Sequence, residues 1–129
     1  FRRVLFRSLG AELLHKITWG EMPRDIHDAE DGCPSGQHLA ADSIAHASLR
    51  IADSILMLSD SPSSKMERYA GFTIVLDPQD VIEGKRWFDG LADGGQIEMV
   101  WQETFWAHGF GKVIDRFGVP WMVNVVKEP

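Results

Sequence analysis

Several scarcities in this chain each remove a class of protein. One cysteine, Cys33, in 129 residues leaves no internal disulfide framework and fits a reducing compartment, so the expected location is cytoplasmic. Positive charge is in short supply: 13 Lys and Arg stand against 19 Asp and Glu, a formal net charge of −6. Contacting nucleic acid takes a surplus of cations to neutralise phosphates, so nucleic acid is not an expected partner. No apolar run reaches the roughly 20 residues that cross a bilayer, and no membrane association is expected. What remains is ordinary globular composition, 44% hydrophobic and 25% charged. A chain of this length buries roughly two thirds of its unfolded surface and forms one domain, or two halves sharing a core.

The opening residues, Phe1 to Ser8, carry three arginines and begin without Met. They have neither the apolar core nor the small-residue cleavage site of a secretory signal and are read as a non-native segment or, at best, the frayed tail of a helix. From Leu9 to Trp19 the chain reads as a helix tail leading into a strand. Residues 20 to 43 are dense in Gly, Pro and Asp and read as a long loop. Ala45, Ala47, Leu49 and Ile51 alternate with His46, Ser48 and Arg50, then Ala52-Asp53-Ser54 turns the chain into a partner strand, Ile55 to Leu58. A polar stretch with Pro62 reads as a linker over 61–70. Gly71 to Leu76 is a strand, and Asp77-Pro78 is expected to start a helix whose apolar stripe holds Val81, Phe88, Leu91 and Ala92. Gly94-Gly95 ends it. Three further strands follow, with Ile97, Met99 and Trp101 on one face of the first of them.

The second half thus reads strand, helix, strand, strand, strand, and the first half repeats the end of that order. The expected fold class is α+β, built as paired βαβββ modules forming a cup-shaped mixed sheet. Residues 9–60 are a partial module one, truncated at its N-terminus, and 71–126 are module two, within one domain over 9–129. Module two takes 56 residues from Gly71 to Val126, whereas residues 9–60 spend much of their length on a loop. By that arithmetic the chain is expected to be a fragment missing an opening strand and most of a helix.

A set of motifs carries a resemblance. They are Gly84-Lys-Arg-Trp-Phe-Asp89, Trp101-Gln-Glu-Thr-Phe-Trp-Ala-His-Gly-Phe-Gly-Lys112 and Asp115-Arg-Phe-Gly-Val-Pro-Trp121 with Asn124, together with Leu9-Gly-Ala-Glu-Leu13, Cys33-Pro-Ser-Gly36 and Leu58-Ser-Asp60. Over residues 9–127 the chain resembles the PhnB-like branch of the vicinal oxygen chelate superfamily, which also holds glyoxalase I, the bleomycin-resistance proteins and the extradiol dioxygenases. The resemblance implies a metal ion held by first and last strands of each module, acting as a Lewis acid on two neighbouring oxygens. The implied ligand positions carry Leu56-Met57-Leu58, Gly71-Phe72-Thr73 and Met122, and a thioether suits such ions poorly. No metal and no cofactor are therefore expected. The ubiquinone-pathway methyltransferase label attached to this branch is set aside, because Gly109-Phe110-Gly111 opens a strand rather than joining a strand to a helix.

Candidate site residues fall into two sets. His46, Glu103 and His108 are the candidate catalytic groups: each could act as acid, base or ligand anchor, and each has a plain structural role open to it. Trp19, Trp101, Trp106 and Asn124 are the candidate ligand-binding groups, three aromatic walls and an amide. The loop residues His27, Asp28, Glu30, Asp31, Cys33 and His38 have ligand chemistry without ligand spacing and read as a solvated acidic loop. No basic residue adjoins Cys33 to activate it. Asp115, Gly118 and Trp121 are expected to be structural: a turn acceptor, a positive-φ glycine and core area.

The expected function is binding of a small molecule without the usual metal, as in bleomycin-resistance-like proteins, with an acidic surface favouring a cationic ligand. The alternative is a lyase, isomerase or dioxygenase acting on a small oxygenated substrate through an atypical site, which leaves enzyme status open. A homodimer is the expected assembly of the intact protein.

Overall fold

The structure is a computed structural model that describes Leu5 and residues 8–22, 40–60 and 69–128. The acidic loop with His27, Cys33 and His38 and most of the 61–70 linker lie outside the described residues. The elements in chain order are β1 (Glu12–Thr18), a 3-10 turn (Trp19–Glu21), β2 (Ile44–Ile51), β3 (Ser54–Leu58), β4 (Ile74–Leu76), α1 (Val81–Ala92), β5 (Gln96–Gln102), β6 (Ala107–Ile114) and β7 (Pro120–Val126). The expected α+β class holds, with one sheet of three strands ordered β1-β2-β3 and one of four ordered β4-β7-β6-β5. The chain divides into two compact units, one of Phe1–Gly10 with Glu67–Pro129, the other of Ala11–Met66.

The four-stranded unit has the full strand-helix-strand-strand-strand order. Helix α1 starts three residues later than Asp77-Pro78 suggests. Asp80 is the cap: its carboxylate accepts the backbone N–H of Glu83 at 2.8 Å, while Glu83 accepts that of Gln79 at 3.2 Å. An acid at the cap and a Glu three residues on answer each other across the first turn, and this beats a lone Asp-Pro. The buried stripe is Gly84, Trp87, Phe88 and Leu91, in i, i+3, i+4, i+7 spacing. Val81, which apolar spacing alone assigns to that stripe, is exposed. The stripe is narrow at Gly84 because a Cβ there would come within 2.8 Å of both Trp101 and Val125. Phe88 lies directly over Gly111. Leu5, Ser8 and Leu9 are also buried in this unit, and Ser8 packs against Gly90.

β7 pairs antiparallel with β6 and parallel with β4. Trp121, Val123 and Val125 are buried on the α1 side of the sheet, while Met122, Asn124 and Val126 point to the other face. The β6–β7 turn is held as expected. Asp115 accepts from the backbone N–H groups of Phe117 at 2.9 Å and Val119 at 3.0 Å, and from the Trp121 indole at 2.9 Å. Gly118 has φ +83°, a conformation a Cβ would strain.

In the other unit β2 and β3 form the expected hairpin, with Ala52 at φ 50° in the turn. Ala47, Leu49 and Ile51 are buried on one face. The Leu58-Ser-Asp60 motif acts locally, since Asp60 accepts the Ile44 N–H at 2.7 Å and donates its own N–H to the Ile44 carbonyl at 2.9 Å. Those two bonds fix where β2 begins.

Candidate functional site

In the four-stranded unit, the candidate residues divide between the two faces of the sheet. The face away from α1 carries Asn124, whose β6 partner is Phe110, and Met122, whose β6 partner is Lys112 and whose β4 partner is Val75. Lys112 also lies 3.8 Å from Glu98 on β5. Phe110 meets the edge of Trp106 at 5.5 Å, and Trp106 meets Phe105 at 4.7 Å, so three aromatic rings run in a chain to the loop tip, where Phe105 is 89% exposed. Asn124 Oδ1 is shielded from solvent and, among the described residues, has no hydrogen-bond donor. The structure therefore brings Asn124 and Trp106 together through Phe110.

Trp101 is on the opposite face. Its ring lies 5.7 Å from Phe88 and rests against Gly84 and Gly109, under the helix. The alternation that groups Ile97, Met99 and Trp101 on one face is broken by register shifts on either side of Met99. Bulges re-aim side chains without leaving a mark in a period-two pattern.

Glu103 and His108 flank the loop that carries Trp106. Glu103 accepts from Lys127 Nζ at 2.6 Å, and Lys127 also donates to the Thr104 carbonyl at 2.9 Å. The Lys127 hydrogen bond, and then its charge, hold the Glu103 carboxyl below the usual carboxylate range, with a lesser contribution from His108. A carboxyl lowered in this way contributes at pH above its ordinary range and loses the contribution as pH falls through its folded value. Lys127→Met should therefore move the Glu103 titration upward, read by side-chain NMR, and an unmoved titration would show that Lys127 is not the cause. His108 is exposed at a register shift between Ala107 and Gly109.

The third candidate, His46, belongs to the three-stranded unit, where its Nε2 lies 3.1 Å from Ser48 Oγ. Trp19 sits in the 3-10 turn after β1, its backbone N–H donating to the Ser43 carbonyl at 3.0 Å. Sequence patterning gives no sign of His15, whose ring lies 6.1 Å from that of His46.

The metal positions implied by the resemblance do not fit a metal. On β3 they offer Leu56, Met57 and Leu58, before β4 they offer Gly71, Phe72 and Thr73, and on β7 they offer Met122, paired with Val75 and Lys112. Among the described residues, no group of three or more His, Cys, Asp and Glu side chains converges. No chemistry through a metal at those positions follows.

These features define an α+β protein of PhnB-type fold. The PhnB protein from Bacillus cereus matches with a TM-score of 0.68 over 97% of this chain and 89% of that one, at 16% identity, a likeness of fold alone. Protein PA1353 from Pseudomonas aeruginosa matches with a TM-score of 0.75 and 33% identity over 98% of this chain and 87% of that one. The chain is 62% identical to Protein YjdN of Escherichia coli (strain K12) over 122 residues, 95% of this chain and 83% of that protein. It belongs to the YjdN family. No family model matches the chain. Among the described residues no helix is long and apolar enough to cross a membrane.

Proposed function

We propose that the chain is a small-molecule-binding protein of the PhnB-like branch of the vicinal oxygen chelate superfamily, taking its ligand on the face of the four-stranded sheet away from α1. The observation that carries the reading is Asn124 Oδ1, an acceptor withdrawn from water to which none of the described residues donates. A buried polar atom left in that state costs roughly 1–3 kcal/mol, and a ligand N–H or O–H placed there recovers it. Phe110 and Trp106 supply an aromatic wall beside the amide. The net charge of −6 favours a ligand that brings donors or positive charge.

Chemistry at Glu103 is not part of this reading. A carboxylate held ionised by Lys127 is a weakened base, and its hydrogen bond anchors the aromatic loop instead.

The test is a thermal-shift screen with small aromatic amines and amides on the wild type and Asn124→Leu. Ligands binding the native state raise the melting temperature. The leucine variant should melt at or slightly above the wild-type temperature, because it removes an unsatisfied acceptor, yet lose the ligand-induced shift. A shift that survives in Asn124→Leu sinks the proposed site.

A further inference from the structure

We propose that His15 and His46 form a binding site for one borderline divalent transition-metal ion, with Cu2+ the tightest, on the three-stranded sheet. This goes beyond the ligand-binding face, which lies in the other unit and uses none of these residues.

The geometry begins with a register shift. β1 pairs Leu13 with Leu49, then skips, so that His15 pairs with Ser48. Leu49 and Ser48 point to opposite faces of β2, so the extra residue turns His15 from the aliphatic face to the face that holds His46. An unbulged strand would have left Leu14 there and sent His15 inward. One of the two register shifts between β1 and β2 brings two imidazoles onto the same face, 6.1 Å apart between ring centroids.

Two imidazoles that share an ion at about 2.0–2.1 Å per nitrogen have centroids about 5 Å apart, so a small side-chain rotation closes the distance. His15 is exposed, so its ring has room to rotate among the described residues.

Ser48 supplies the second part of the site. It is buried, and its hydroxyl lies 3.1 Å from His46 Nε2. A ligating histidine has its other ring nitrogen held by a hydrogen-bond partner, which fixes ring orientation and tautomer. With Nε2–H donated to Ser48, Nδ1 of His46 is the nitrogen that keeps a lone pair for the ion. Imidazole suits Cu, Ni and Zn, and affinity along that series peaks at Cu2+. Water completes the coordination. On the same face, Glu12 and Arg50 pair with each other at 3.4 Å, so the site meets no uncompensated cation from that pair. These residues are on β1 and β2 and include none of the metal positions that the family resemblance implies.

The experiment is a Cu2+ titration of the full chain carrying His27→Asn, Cys33→Ser and His38→Asn, which removes the ligand-type side chains of the acidic loop that could compete. Binding is followed by visible absorption and by electron paramagnetic resonance, where nitrogen ligation splits the signal. One ion with two nitrogen ligands is expected. His15→Ala and His46→Ala should each weaken binding at least about tenfold, Ser48→Ala by about 10–100-fold, and His108→Ala not at all. His15 is exposed, so its variant should keep the wild-type far-UV circular dichroism and report even if His46→Ala does not fold. Absence of a nitrogen-ligated ion, or binding that survives His15→Ala, overturns the proposal.

Discussion

Asp115→Ala is expected to destabilise the protein by about 3–5 kcal/mol, one of the two largest single effects in the chain. The carboxylate accepts three hydrogen bonds, from two backbone N–H groups of its own turn and from the Trp121 indole. All three donors stay behind when it is removed, and Trp121 is fully buried, so water cannot replace the lost acceptor. Bonds to an ionised acceptor are stronger than neutral ones, which puts the expected loss above that of an ordinary turn. Asp115→Asn keeps a single acceptor oxygen and should recover less than half of the deficit. Urea unfolding checks both variants. The comparison variant is Asp93→Ala: its exposed ion pair with Arg116 at 2.9 Å is screened by solvent, so its loss should stay within about 1 kcal/mol. Equal effects at Asp93 and Asp115 would show that the turn does not depend on the buried carboxylate.

The same turn shows what a sequence can disclose. Asp115, Gly118 and Trp121 each have one strong local reason for being there, and the structure uses each for that reason. The β2–β3 hairpin is equally readable, because alternation over Ala45 to Ile51 runs without interruption and its buried face is uniform. Helix α1 is legible but its start is not, since Asp77-Pro78 outshines a quieter signal, the Asp80-x-x-Glu83 box. Strands β1 and β5 can be located while their facing cannot. Each contains a register shift, and a shift exchanges inside and outside without changing composition. That is why patterning groups Trp101 with Met99 although Met99 pairs with Lys112 between two shifts, and why His15 goes unnoticed beside His46. The missing donor at Asn124 leaves no trace in the sequence either, because it depends on what β6 brings opposite β7.

Trp101 is the second residue with a large expected effect, and here the sign of a neighbouring substitution is the sharper test. Its ring is wedged between α1 and β6 so tightly that a Cβ on Gly84 would come within 2.8 Å, and the three atoms nearest a Cβ on Gly109 are all its own. Trp101→Ala should cost about 3 kcal/mol, from lost apolar burial and the space left under α1. Gly109→Ala in the wild type should cost about 1–3 kcal/mol, because backbone carries the added methyl into a ring already pressed against Phe88 and has little freedom to move. With Trp101 replaced by alanine, the obstacle is gone. Alanine in a strand is then favoured over glycine by roughly 0.5–1 kcal/mol through the unfolded chain's entropy. Gly109→Ala is therefore expected to destabilise the wild type and stabilise the Trp101→Ala protein, a reversal read directly from a double-mutant cycle of urea midpoints. Additive effects in that cycle would mean that Gly109 is there for its backbone. A reversal would mean that it is there to make room for Trp101, whose ring closes the core between α1 and the sheet.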